Sequence, residues 1–252
     1  MWWKLLLVAP AVILAVILAG PVLAVALGKV DVTRPWYVGH RDPAGLAPDP
    51  AATPEPVIQV YGARTLGWRG AFGLHTWIAV KPRDAAEYTV YEVIGWRQYR
   101  GLPVFVAHNR APDGYWFGNK PWVLSELRGA AAEAAMPRLM ASLEAYPHKD
   151  NYRMWPGPNS NTLTAYVGRD VPELRLNLPA TALGKDYLGL TKIFAQSPSG
   201  TGYQLSLFGA LGVLAARIEG IEVNLLGFTF GLDPTAPALK IPGLGRIGPA
   251  AS

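Results

Sequence analysis

Residues 5–28, LLLVAPAVILAVILAGPVLAVALG, run for 24 positions without a charge. At about 1.5 Å per residue, a helix of that length covers the roughly 30 Å hydrocarbon core of a bilayer with room to tilt. No other stretch restricts the chain so strongly, because a segment this apolar either lies in lipid or is removed. Pro10 and Pro21 each break one backbone hydrogen bond, which a bilayer helix tolerates. Trp2 and Trp3 suit the headgroup belt. Ala24-Val25-Ala26 would also serve as the A-x-A site of a cleaved leader, so two fates stand open. The apolar region is long for a signal core, and residues 1–29 are read as a retained anchor. Lys4 on one flank competes with Lys29, Arg34 and Arg41 on the other, so charge alone does not orient the helix. A short tail followed by a large domain places that domain on the outer, extracytoplasmic side.

Beyond the anchor, residues 30–56 read as a linker. From Pro43 to Pro56 five prolines, at 43, 48, 50, 54 and 56, predict a stiff, extended spacer that holds the domain off the membrane. Charged residues make up only 16% of the chain, against roughly a quarter in a soluble domain. The net charge of +5 is scattered, with no Lys/Arg block that would read as a nucleic-acid surface. The chain has no cysteine, which removes disulfides, a thiolate nucleophile, Cys-ligated zinc and Cys-based lipidation together.

The folded part is expected over residues 57–200. Val57 to Tyr61 reads as a strand, and Gly62 to Gly73 is broken by glycines. In HTWIAVK, His75, Trp77, Ala79 and Lys81 fall on one face, with Thr76, Ile78 and Val80 on the other. Tyr88 to Trp96 is a second strand, rich in β-branched and aromatic residues, and PRDAAE between the two predicts an antiparallel hairpin. Leu102 to His108 is a third strand. Residues 121–145 read as helix, with Pro121 in the first turn and an interruption at Gly129 or Pro137. Residues 171–200 look irregular. Residues 201–252 form a Gly-rich extension: alternation in 203–216 and 221–232 predicts a β-hairpin, and the tail from Pro237 reads as a surface arm.

Motif by motif, most chemistry is absent. Gly243-Leu-Gly245-Arg-Ile-Gly248 matches a dinucleotide fingerprint only as a string, because no helix can follow it before the chain ends. There is no G-x-S-x-G elbow, S-x-x-K, P-loop or H-E-x-x-H. The histidines at 40, 75, 108 and 148 lack metal-like spacing, His148 is expected to face solvent, and neither cofactor nor metal is expected. One stretch stands out, WPGPNSNTLTAYVGR from Trp155 to Arg169. Leu163, Tyr166 and Val167 mark one helix face, Asn159 is a good N-cap, and Ser160 then lies in the first turn at the positive end of the helix dipole.

HTWIAV, then YEVIG, then a helix entered through Asn159-Ser160-Asn161-Thr162-Leu163 resembles the circularly permuted members of the papain-like NlpC/P60 superfamily, the lecithin:retinol acyltransferase-like group. That resemblance covers roughly residues 57–170. It implies an α+β fold, an antiparallel sheet with helices, with a catalytic histidine at His75 and the nucleophile position at Ser160. Serine stands where those proteins carry cysteine. Over the whole chain, HTWIAVK, PGPNSNT and EGIEVNLLGFTFGLDP are similar to an uncharacterised bacterial family, domain of unknown function 3750, which implies no established activity.

A thiol with a pKa of about 8.5 can become a thiolate beside an imidazole and a helix N-terminus, whereas a serine hydroxyl cannot. Ser160 would need His75 as a true general base within about 3 Å, with Glu92 as its orienter. Two functions follow. The first is a membrane-anchored envelope domain that binds wall glycopeptide, lipid or a protein partner without catalysis, using Asn159, Asn161, Trp77 and Trp155. The second is a serine-dependent amide or ester hydrolase or acyltransferase built on Ser160, His75 and Glu92. Membrane contact through residues 5–28 is common to both.

Overall fold

A computed structural model describes residues 2–249 of the chain, with side chains from Val8 onward. The interfacial role expected of Trp2 and Trp3, and the last residues of the tail, lie outside the described side chains. Helix α1 covers Trp2–Ala26, and its stretch Val8–Ala26 is long and apolar enough to cross a membrane. The rest is α+β, two antiparallel sheets and two helices.

The first sheet has five strands: β1 (Val57–Arg64), β2 (Leu74–Lys81), β3 (Thr89–Val93), β4 (Phe105–Asn109) and β5 (Trp122–Arg128), in the order β4-β3-β2-β1-β5. Both faces are covered, and every residue of β2 is buried. On one face Ile58, Val60, Leu74 and Ile78 pack against α2 (Gly129–Ala145) and α3 (Ser160–Asp170) through Leu139, Leu143 and Leu163. On the other face Tyr61, Trp77, Val90 and Trp116 form a second core. The alternation in HTWIAVK is thus read out face by face, as period-two geometry requires.

Residues 122–128 depart from the expected helix. They form β5, paired antiparallel with β1 from Val57↔Arg128 to Gly62↔Trp122. The open edge of β1 supplies hydrogen bonds that a helical turn there would not, so tertiary pairing overrides the local helix signal. The helix begins only at Gly129, whose φ of +55° suits glycine at the strand-to-helix corner, and Pro137 sits inside it.

Residues 30–56 are no free spacer either. Pro43 bridges Gly114, Asp113 accepts from the backbone N–H groups of Leu46 and Ala47, and Arg34 donates to Gly118 O. The prolines that stiffen this segment also let it lie as a strap over the second core of the sheet.

The second sheet is a seven-stranded meander: β6 (Phe194–Gln196), β7 (Gly202–Leu207), β8 (Leu211–Ala216), β9 (Gly220–Leu225), β10 (Phe228–Asp233), β11 (Ala238–Ile241) and β12 (Gly245–Ile247). The expected hairpin is therefore four strands, and the tail is not a surface arm: Ala238–Ile241 and Gly245–Ile247 extend the sheet, with the fingerprint-like glycines in and around the turn. Its polarity is inverted. Gln204, Ser206, Glu222, Asn224 and Lys240 point inward and are buried, whereas Leu205, Val213, Ile221, Val223 and Leu239 point outward and are exposed. The inward polar groups are joined by ion pairs: Glu222 bridges Lys185 and Lys240, and Asn224 donates to Asp186 Oδ2 at 2.8 Å.

Candidate functional site

Ser160 opens α3, and the local sequence explains how. Asn159, with φ −149°, is the N-cap: its Oδ1 accepts from the N–H groups of Asn161 at 2.9 Å and Thr162 at 3.2 Å. Thr162 Oγ1 accepts from Asn159 N–H at 3.0 Å, closing a capping box. The remaining donors are equally committed. Asn159 Nδ2 donates to Met154 O and Leu183 O, and Asn161 Nδ2 to Leu74 O and Leu183 O. Asn161 Oδ1 accepts from Thr76 Oγ1. Both asparagines, expected to meet a ligand, are buried parts of the scaffold that fixes α3 to β2 and to the 181–184 loop.

Trp77, also expected to line a cleft, is wholly buried, with its Nε1–H donated to Pro112 O at 2.6 Å. Trp155 remains about half exposed and donates to Leu226 O at 2.7 Å, so it sits on the second sheet and not beside β2.

Ser160 Oγ accepts from Thr76 N–H at 3.4 Å, a long hydrogen bond. No hydrogen bond joins it to His75. The helix N-terminus nevertheless lies against the strand that carries His75, one residue from the contact. The cap takes the N–H groups of Asn161 and Thr162 and leaves that of Ser160 outside it.

His75 lies on the face of β2 that belongs to the second core. Its Nε2 is 2.7 Å from Glu92 Oε2 on β3, and its ring lies flat under Trp116, with centroids 3.8 Å apart. Glu92 is buried, and three further donor contacts converge on it: His108 Nε2 at 2.6 Å and Arg110 Nη2 at 3.2 Å and Nε at 3.4 Å. Burial alone would push this carboxyl up. The hydrogen bonds from His108 and His75 and the nearby charge of Arg110 outweigh burial and hold it well below the usual carboxylate range. For His75 burial wins, aided by Arg110 and Arg41 against the pull of Glu92, and the imidazole is held below its ordinary value. An ionised carboxylate only accepts, so the neutral imidazole carries its proton on Nε2 and leaves Nδ1 as a lone pair.

Sequence reading missed His108 and Arg110. The signal was there: β3 and β4 pair with Val90↔His108 and Glu92↔Val106, so alternation in VAHNR puts His108 on the Glu92 face and continues it to Arg110. His148 is half-buried between the rings of Tyr146 and Tyr187, and burial lowers its pKa. Among the described residues no cluster of His, Asp and Glu is arranged to hold a metal ion. A cleft between the strap and β3, lined by Pro48, Tyr88, Asn109, Arg110 and Asp113, neighbours this network without reaching Ser160 or His75.

Fold and site together define an α+β domain behind an apolar N-terminal helix, with a buried carboxylate–imidazole network beside a capped helix. A family described as protein of unknown function (DUF3750) matches residues 55–187, and the chain belongs to that family. The matched span runs from β1 through α3 to the loop that anchors both asparagines. No curated protein and no solved structure matches the chain.

Proposed function

We propose that this protein is a membrane-anchored cell-envelope domain of papain-like build that binds an envelope glycopeptide without cleaving it. The papain-like build is supported by the helix N-terminus with Ser160 resting on the strand with His75. The observation that carries the absence of catalysis is the bonding of the two residues. Ser160 Oγ takes the Thr76 N–H and has no hydrogen bond to His75, whose Nε2 is held by Glu92. A serine not joined to a base stays a neutral hydroxyl, too weak a nucleophile for amide or ester attack.

The binding surface follows the aromatic stack outward from His75. Trp116 lies on the imidazole, and Trp96 stacks on Trp116 at 5.8 Å with its own ring partly exposed. Arg41 sits 4.7 Å from the Phe117 ring centroid and 5.7 Å from that of Trp116. An open aromatic face flanked by a cation suits a sugar ring carrying a peptide carboxylate. Calorimetric titration of the full chain in detergent with soluble wall fragments tests this. Trp96→Ala is expected to weaken binding at least tenfold while Ser160→Ala leaves it unchanged. Binding that is indifferent to Trp96 would overturn the proposal.

One observation favours a second reading, a serine hydrolase or acyltransferase. Glu92 orients His75 and leaves Nδ1 unprotonated, as a general base requires. Labelling by a serine-directed phosphonate, lost in both Ser160→Ala and His75→Ala, would establish the enzyme and retire the binding-only function.

A further inference from the structure

The outward face of the second sheet is apolar across its width, and its side chains there are close to half exposed: Leu205 51%, Val213 51%, Val223 48%, Leu232 48% and Leu239 53%. Together with Leu211, Ile221 and Ile247, also close to half exposed, they form a contiguous apolar face of the kind that marks an interaction surface. A sheet bathed in water would be built the other way round. Here the ion pairs are inside and the leucines outside, so the medium beyond the sheet is less polar than the domain it rests on.

Three features say what that medium is. First, the turns at one end of the meander are apolar. Phe208 and Leu226 sit at the tips between β7 and β8 and between β9 and β10, and Pro242 and Leu244 flank the turn between β11 and β12. The turns at the opposite end carry Arg217, Glu219 and Asp233–Thr235 instead. Second, α1 touches the apolar end. Of its buried stripe Ile17, Gly20, Pro21 and Ala24, Ala24 packs on Ala71, while Gly20 and Pro21 meet the turn between β11 and β12: a Cβ on Gly20 would meet Pro242 and Ile241 Cγ2, and one on Gly243 would meet Pro21. Ile241 shares the outward side of β11 with Leu239, so the helix and the apolar face form one continuous surface. Third, two half-exposed tryptophans flank that end. Trp155 is tied to the Leu226 carbonyl, and Trp68 packs on Phe72, which in turn meets Phe228. Trp at such a boundary is the usual marker of a membrane interface.

Helix length supplies a measure of depth. Roughly fifteen residues of α1 precede Ile17, about 22 Å of helix, which falls short of the roughly 30 Å hydrocarbon core. The missing depth has to come from the part of α1 that lies beside the sheet. We propose that the outward face of the second sheet is a lipid-docking surface. Its apolar turns enter the acyl region of the leaflet beside α1, and the polar turns stay at the aqueous side. This stands independently of whether Ser160 is catalytic.

The absence of cysteine allows a clean test with single nitroxide labels on the full chain in phosphatidylethanolamine/phosphatidylglycerol vesicles. Labels go at Leu205→Cys, Val213→Cys, Val223→Cys and Leu239→Cys, with Arg217→Cys at the polar end as reference. The ratio of collision with oxygen to collision with a water-soluble nickel chelate is expected to be several-fold higher at the four outer positions than at 217. A ratio equal to that at 217 would mean a solvated face and overturn the proposal. Low collision with both reagents, together with spin–spin broadening, would mean that a second copy covers the sheet, and would overturn it equally. Four positions on four strands keep the test intact if one variant fails to fold.

Discussion

The two sheets of this protein solve the same problem in opposite ways. In the five-stranded sheet, apolar side chains cover both faces, and the buried Glu92 and His75 are bonded to each other on one of them. In the seven-stranded sheet the polar side chains face the protein and the apolar ones face away. Alternation by itself says only that a strand has two faces. Which face is inside depends on what lies on each side, and the polar face of the second sheet is the one that meets Lys185 and Asp186.

The contrast is sharpest at the buried charges. Glu222 lies between Lys185 and Lys240, and the Lys185 ammonium is raised even though burial opposes it, because Asp186 and Glu222 surround it. Glu222→Ala leaves two buried cations facing each other, and a loss of about 3–5 kcal/mol in urea unfolding of the detergent-solubilised chain is expected. In the first sheet the corresponding dependence is on packing. Leu163→Ala, on the buried side of α3, is expected to cost about 3 kcal/mol through lost burial and the cavity left behind. Asn159→Ala removes the cap, at about 1–2 kcal/mol, and also the side chain that ties α3 to Met154 and Leu183.

The His75–Glu92 network predicts a pH dependence of definite sign. In the unfolded chain His75 takes a proton near pH 6.5, while in the fold burial keeps it neutral. Below that pH the unfolded state binds more protons, so stability falls as pH falls. Glu92 acts in the same direction lower down. Its folded carboxyl stays ionised while the unfolded one begins to protonate near pH 4.5. Thermal melts between pH 7.5 and 5.5 are expected to lose a few degrees, and His75→Gln is expected to flatten that window. A melting temperature that rises on acidification in this range would contradict the network as described.

The smallest expected effect is the most diagnostic of the inversion. Leu205→Ser, on the outward face of β7, should change unfolding stability in detergent by no more than about 0.5 kcal/mol, as a surface substitution does. The same change at an inward apolar position of the first sheet, such as Ile78, would be severe.

Much of the first sheet was legible in the chain because its signals are local. Alternation in HTWIAVK and YTVYEV, the turn between them, and Asn159 before an apolar repeat each locate an element without knowledge of the rest. What could not be read was set at a distance. Residues 122–128 became a strand because β1 offered an edge, and the proline-rich segment became a strap because Asp113 and Gly114 receive it. At the site, Ser160, His75 and Glu92 were named from sequence, and the structure places His75 and Glu92 in hydrogen-bond contact. Nothing local foretold that Asn159 and Asn161 would use every polar atom internally, or that Trp77 would close over Pro112. The leucine alternation of β7 to β9 was visible, but its outward orientation needed the buried partners of Glu222 and Asn224.

The most direct measurement uses the unaltered protein. The full chain is reconstituted in vesicles containing a phosphatidylcholine with a photoreactive group in its acyl chain, irradiated, digested and mapped by mass spectrometry. Adducts are expected on α1 and on outward residues of β7 to β11, densest around Phe208 and Leu226. Adducts confined to α1, with none on the second sheet, would contradict the lipid-facing sheet outright.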